Sequence, residues 1–254
     1  MMRLGRLPHD PARVAAAPSF VGHRFAAVPP PPVLDRGATE FQPGLYGNDT
    51  LPDCTPVGMA NAATAVSAIN GFPLAITDAK VPAFYAQCIN QPNATDAELA
   101  ATDGAMMLDV LTRQVTSGFD VGQESALVGL FGTMPVARSV LASGMAALGH
   151  GYWGVTLRER DMEGGYVWDV QPGRDDGAVV GGHCIVGWSY TGLGDADTLQ
   201  IATWGAWQSA TWAWLQARLD EAYCIIWRQL ARTDGTDVGV DVADLEAKLA
   251  TFIG

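Results

Sequence analysis

The sequence predicts an α+β domain, with helices in the first half, an antiparallel sheet in the second, and an extended arm before both. Three observations carry this. Apolar residues recur at helical spacing between Asn48 and Gly118. From Gly151 onward, runs rich in Val, Ile, Trp and Tyr alternate with Gly/Asp turns. Before Gln42 there is neither period, only Pro, Ala and Arg with an unbroken Pro29 to Pro32 run that must be extended. Helices first and sheet later is the α+β order. The expected divisions are an arm at 1–42, a two-lobed domain at 43–232 and an amphipathic helix at 233–254.

The first helix is read from NDTLPDCTPVGMANAATAVSAIN, Asn48 to Asn70. Pro56 suits a first turn, Ala60, Ala63, Val66 and Ile69 mark one stripe, and Asn70-Gly71 closes it. Cys54 therefore sits at a helix N-terminus, where unpaired N–H groups favour an anion and so a thiolate. Asp78 is the natural cap of a second helix through Val81, Phe84, Tyr85 and Cys88. A polar loop (NQPNATDAELAATDG) leads to Gly104, then Met107, Leu108, Leu111 and Val115 form a helix stopped by Gly118. Pro135 to Gly149 reads as one more helix.

The strand readings are GYWGVTLRER, YVWDV, GGHCIVGWSY, TLQIATWG and AYCIIWRQL, with the helix TWAWLQARLDE, capped by Thr211, before the last. VDVADLEAKLATFI, with Val242, Leu245, Leu249 and Phe252, is a closing amphipathic helix.

A lone cysteine is usually buried filler. What raises Cys54 above that is His183, which follows two glycines at the head of a strand, ahead of a second strand ending in Trp204-Gly205. In order and spacing these pieces resemble the papain-like cysteine peptidases, over about Tyr46 to Trp227. A looser likeness, in YGNDTLPDC and the Arg-Leu-Pro-His start, is to papain-like proteins of bacteriophages.

The resemblance implies a two-lobed fold with a cleft. Cys54 would be the nucleophile and His183 the base. Asn48, six residues before Cys54, would be the oxyanion donor in place of the family's Gln. Trp204, Gly104 and Asp103 would line the cleft, with Met106 or Met107 beside it, although core filling is the simpler role for both methionines. The family's orienting Asn is replaced by Ala202. Strand alternation sets Ala202 and Trp204 on one face and Thr203 on the other, so Thr203 reaches His183 only through a bulge. Turn carboxylates, Asp195 and Asp197, and Asp169 on the preceding strand are the other candidate orienters. Loose orientation would make hydrolysis weak, and Ala202→Asn would raise it. His150, between two glycines, is the rival base.

Two functions stay open at this point. One is a thiol hydrolase cleaving peptide or amide bonds of a peptide or protein substrate. The other is a papain-like domain without turnover, a structural or binding component of a virion or homo-oligomer held through residues 1–42. Val21, Phe25, Val28 and Leu34 are the arm's expected anchors.

Composition narrows the rest. At 48% hydrophobic and 17% charged residues over 254, the chain can bury a sizeable core. A net charge of −12 with no basic cluster repels phosphate backbones, so no nucleic-acid partner is expected. The four cysteines form no C-x-x-C pair, so neither a metal nor another cofactor is expected. The N-terminus lacks a sustained apolar core, so no signal peptide is read, and no segment is long enough to span a membrane.

Overall fold

The structure is a computed structural model that describes residues 2–21, 23, 28–36, 41–71, 74–123, 125–227, 229–230 and 240–254. Among them, eight α-helices accompany one sheet: α1 (Pro11–Ala16), α2 (Cys54–Ile69), α3 (Lys80–Cys88), α4 (Asp96–Ala100), α5 (Met107–Ser117), α6 (Arg138–Leu148), α7 (Trp212–Arg218) and α8 (Val242–Ile253). The six strands are β1 (Gly129–Thr133), β2 (Gly151–Arg158), β3 (Val179–Tyr190), β4 (Thr198–Thr203), β5 (Ala206–Thr211) and β6 (Leu219–Trp227). They pair antiparallel throughout in the order β1-β6-β2-β3-β4-β5.

Helix α2 is the centre. Its Ala, Gly and Ser residues bury it on nearly every side, as expected of a helix enclosed by core rather than laid on a surface. It packs chiefly on β3, where Gly58 faces the Cys184 sulfur with no room for a side chain. In the same core lie Phe84 and Phe119, with ring centroids 4.9 Å apart, and the buried Trp153, Trp212, Trp214 and Trp227 of the sheet half.

Several elements depart from the sequence reading. Asp78 does not cap α3, whose N-cap is Ala79 without a side-chain bond. The segment read as a polar loop contains α4, started by a capping box between Thr95 and Glu98. Helix α6 begins at Arg138, three residues after Pro135, and ends on Gly149 in the left-handed region (φ 86°). YVWDV is not a strand; Trp168 alone bridges Ala210. Strands β1 and β5 are not among the sequence readings, since two of the five residues of GLFGT are glycine and three of the six in AWQSAT are polar. Helix α7 does start on Thr211, whose hydroxyl accepts from Trp214 N.

The described part of the arm lies on its own domain. Asp10 caps α1, with Pro11 at its first position. Pro18 O accepts from Thr133 N (2.7 Å) and Thr133 O accepts from Phe20 N (3.0 Å), so the arm extends the sheet edge at β1. Leu34 and Tyr190 exchange backbone bonds of 3.0 Å each. The anchors are Phe20, fully buried, and Leu34; Val21 and Val28 are exposed, and Phe25 lies outside the described residues. Among the described residues no helix is long and apolar enough to cross a membrane.

Candidate active site

Cys54 is the first residue of α2, with Asp53 as N-cap. Its thiol is buried beside the backbone of Cys184, the residue after His183, and beside the backbone of Gly5 from the arm. Burial pushes the thiol up to about 12, against smaller lowering contributions from the Cys184 and Gly5 backbones and the Arg6 charge.

His183 is buried on β3, paired with Val155 of β2. Its Nε2 lies 2.7 Å from Thr203 Oγ1, and its Nδ1 has no hydrogen-bond partner among the described residues. The ring stacks on Trp204 at 4.2 Å and 22°. Trp204 and Gly205 both have positive φ (45° and 70°) and join β4 to β5 as a two-residue hairpin turn. A tryptophan rarely adopts this backbone, and here it lays the indole against the imidazole. Burial, with the Arg6 charge second, holds His183 down at about 3.

The partner of His183 is thus Thr203, and the bulge that brings it there is the β3–β4 register shift between Gly187 and Ser189. The register Val186↔Ala202 places Ala202 on the face of β4 that looks toward α2, in a cluster with Phe41, Ala62, Ala65 and Trp188. One residue on, Thr203 falls on the His183 face. The acidic candidates are engaged elsewhere: Asp195 with Arg138, Asp197 with Gly194 N (2.6 Å) inside its own turn, and Asp169 with Arg174 (2.8 Å). His150 is a core residue; Nδ1 donates to Leu148 O (3.1 Å) and Nε2 accepts from Ile225 N (3.2 Å), with its pKa held down at about 4 by burial.

Asn48 is fully buried behind the helix start. Its amide nitrogen donates to Leu51 O and to Asp53 Oδ1, both at 3.1 Å. Burial raises Asp53 to about 8, although the Asn48 amide opposes this, so at neutral pH the group before Cys54 is largely protonated. Asp103 is exposed.

The sequence reading missed the arm's course. Residues 3–7 run in extended form between the two halves, over Cys54. Ala105 N donates to Gly5 O (2.9 Å), Leu7 N to Ala105 O (3.1 Å), and on the other side Arg6 N donates to Gly182 O (3.2 Å). Trp204 Nε1 donates to Arg3 O (3.0 Å). Gly104, at φ 113°, is where the arm passes closest; a Cβ there would lie 2.6 Å from Gly5 Cα. Gly104 and Trp204 therefore line this cleft. Arg6 turns inward and is 5% exposed, paired with Glu221 (2.8 Å) and with Asp220. One signal for this pocket was in the sequence: Asp220-Glu221 heads an otherwise apolar strand. Among the described residues no cluster of side chains could hold a metal ion.

No family model matches the sequence, and no curated protein sequence matches it. Solved structures do. Xylellain, a cysteine protease from Xylella fastidiosa, superposes with a TM-score of 0.66 at 13% identity, over 89% of this chain and 96% of that one. ProCathepsin B S9 from Trypanosoma congolense gives 0.62 at 10% identity, over 89% and 87%. Digestive procathepsin L 3 of Tenebrio molitor larval midgut gives 0.51 at 10%, over 89% and 74%. Helix α2 carrying Cys54 against a sheet carrying His183, in a chain that superposes on these proteins over most of its length, is the papain-like fold.

Proposed function

We propose that the chain is a latent thiol hydrolase of peptide or amide bonds, with Cys54 as nucleophile and His183 as base. The observation that carries this reading is the extended segment in the cleft. A groove that binds residues 3–7 through backbone groups of Ala105 on one wall and Gly182 on the other is shaped for peptide backbone, and it passes the Cys54 thiol.

In the tautomer that carries hydrogen on Nε2, donated to Thr203 Oγ1, the Nδ1 lone pair is the acceptor. Nδ1 takes the Cys54 proton, and the thiolate, favoured by the start of α2, attacks the carbonyl carbon. The oxyanion is met by the first-turn N–H of Cys54. Asn48 can add a donor only by giving up Leu51 O or Asp53. His183 then returns the proton to the leaving amine, and water, deprotonated by the same ring, releases the acid from the thioester.

With the arm docked, both partners are neutral: burial holds the thiol far above neutrality and the imidazole far below it. This accounts for latency, and two of the similar structures are themselves proenzymes by name. The depth of Arg6 favours a second reading, a binding or structural domain whose cleft stays filled by its own chain. Turnover of casein and of a peptide-amide series separates the two. Wild type, Gly5→Ala and Gly5→Ala/Cys54→Ala are compared. Hydrolysis that appears with Gly5→Ala and vanishes with Cys54→Ala supports the enzyme; none in any variant, at a cleft verified as open, supports the filled cleft.

A further inference from the structure

We infer that the pocket filled by Arg6 is a guanidinium subsite of the cleft, and that the peptides this chain acts on place an arginine there. The inference rests on the reading of the cleft as a peptide groove. The backbone contacts of residues 3–7 are sequence-neutral, but the charged side chain of Arg6 turns inward to a built site. Arg6 Nη1 donates to Glu221 Oε1 (2.8 Å), and Nη2 faces Val155 O (3.2 Å), Thr156 Oγ1 (3.3 Å) and Asp220. Glu221, 3% exposed, has its second oxygen held by Tyr223 OH (2.7 Å), so the carboxylate cannot swing out to water. Gly154 clears the way for the stem; a Cβ there would lie 2.7 Å from Arg6 Cδ and 2.8 Å from Met107 Sδ.

The chemistry selects one occupant. When the arm leaves, a buried carboxylate is stranded with a single hydroxyl partner, which is costly unless a cation replaces the one lost. The acceptors are spread over two nitrogens, Glu221 at Nη1 and Asp220, Val155 O and Thr156 Oγ1 about Nη2, with Nε unpartnered among the described residues; that spread suits the guanidinium fork better than the single nitrogen of lysine. A leucine would leave Glu221 unpaired. Discrimination of about ten- to a hundredfold for arginine over leucine is expected from a desolvated charge pair of this kind.

The test has two parts on the full chain. In Arg6→Ala/Cys54→Ala, ethylguanidinium at millimolar levels is titrated against thermal unfolding, with ethylurea, of similar shape and no charge, as comparison. Stabilisation by ethylguanidinium alone is expected; equal stabilisation by both, or by neither, overturns the subsite. In Arg6→Ala with Cys54 intact, peptide amides carrying one arginine walked through each position are compared with their leucine counterparts. At least a tenfold preference at one position is expected, collapsing to under threefold in Glu221→Gln, which keeps the shape and the Tyr223 bond. A preference that survives Glu221→Gln, or leucine peptides turned over as fast, overturns the inference while leaving the hydrolase intact. Selective stabilisation by ethylguanidinium with no turnover of any peptide upholds the subsite and refutes the hydrolase. Should Arg6→Ala not fold, Gly5→Ala with and without Glu221→Gln supplies the same peptide comparison.

Discussion

Gly5→Ala opens the cleft by a single methyl group. Gly5 does not need a left-handed backbone; it needs space. An added Cβ would overlap the Pro52 carbonyl and lie 2.7 Å from Pro52 Cα, well inside the ~3.5–4.0 Å of ordinary carbon contact. Pro52 is buried at the head of α2 and has nowhere to retreat. The arm must lift instead, giving up the bonds to Ala105, Gly182 and Trp204. Solvent then reaches the thiol, whose pKa drops from about 12 toward the ordinary cysteine value or below. At pH 7 the thiolate fraction rises from about 10⁻⁵ to at least ~3 × 10⁻², a rate increase of at least ~3 × 10³-fold. Site-resolved iodoacetamide labelling by mass spectrometry measures this, with Cys88 and Cys224, both buried, as references in the same molecule. Trypsin cleavage after Arg6 reports whether the arm has lifted. An arm that is cut freely while Cys54 speeds up by less than tenfold refutes the reasoning. So does a parallel rise at Cys88, which would mean general unfolding.

Three further outcomes follow from the same geometry. Thr203→Val in the Gly5→Ala background leaves a buried ring nitrogen unpaired, costing ~1–3 kcal/mol in thermal unfolding and about tenfold in Cys54 labelling rate, whereas Thr203→Ser keeps both. Ala202→Asn, which a family comparison would choose as activating, instead buries an amide among Phe41, Ala62, Ala65 and Trp188; it should cost ~1–3 kcal/mol by urea denaturation without raising turnover. Asp53→Asn should stabilise the protein increasingly as pH rises from 4 to 8. The Asp53 pKa is raised in the folded state to about 8, chiefly by burial, so the wild type loses stability as pH climbs from the unfolded carboxyl value through 8, and the amide has no such loss. A constant difference between the two urea midpoints across that range would contradict it.

The central helix, the Cys54 N-terminus and the strands bearing His183 and Trp204 were legible because period and turn chemistry act locally. Strands β1 and β5 were not, because GLFGT and AWQSAT owe their pairing to neighbours rather than to propensity. Thr203 shows the limit within a correctly read strand. Alternation separated it from Ala202, but which of the two looks at His183 is set by the β3–β4 register, which is not written in either strand alone. The arm is the largest omission. A proline-rich segment has no period, so its sequence does not say where it docks. The match of Arg6 to Asp220 and Glu221, more than 200 residues away, exists only once the cleft is built.

The most direct measurement is the pH profile of Cys54 alkylation in Gly5→Ala, from pH 5 to 9, with and without His183→Ala. If Cys54 and His183 form a thiolate–imidazolium pair once the arm is out, labelling persists on a plateau well below pH 7, and His183→Ala converts it to the simple curve of an isolated thiol, rising toward pH 8.5. Identical curves with and without the imidazole, each falling away below pH 8, would mean that the two side chains do not act together and that the cleft is not a thiol hydrolase site.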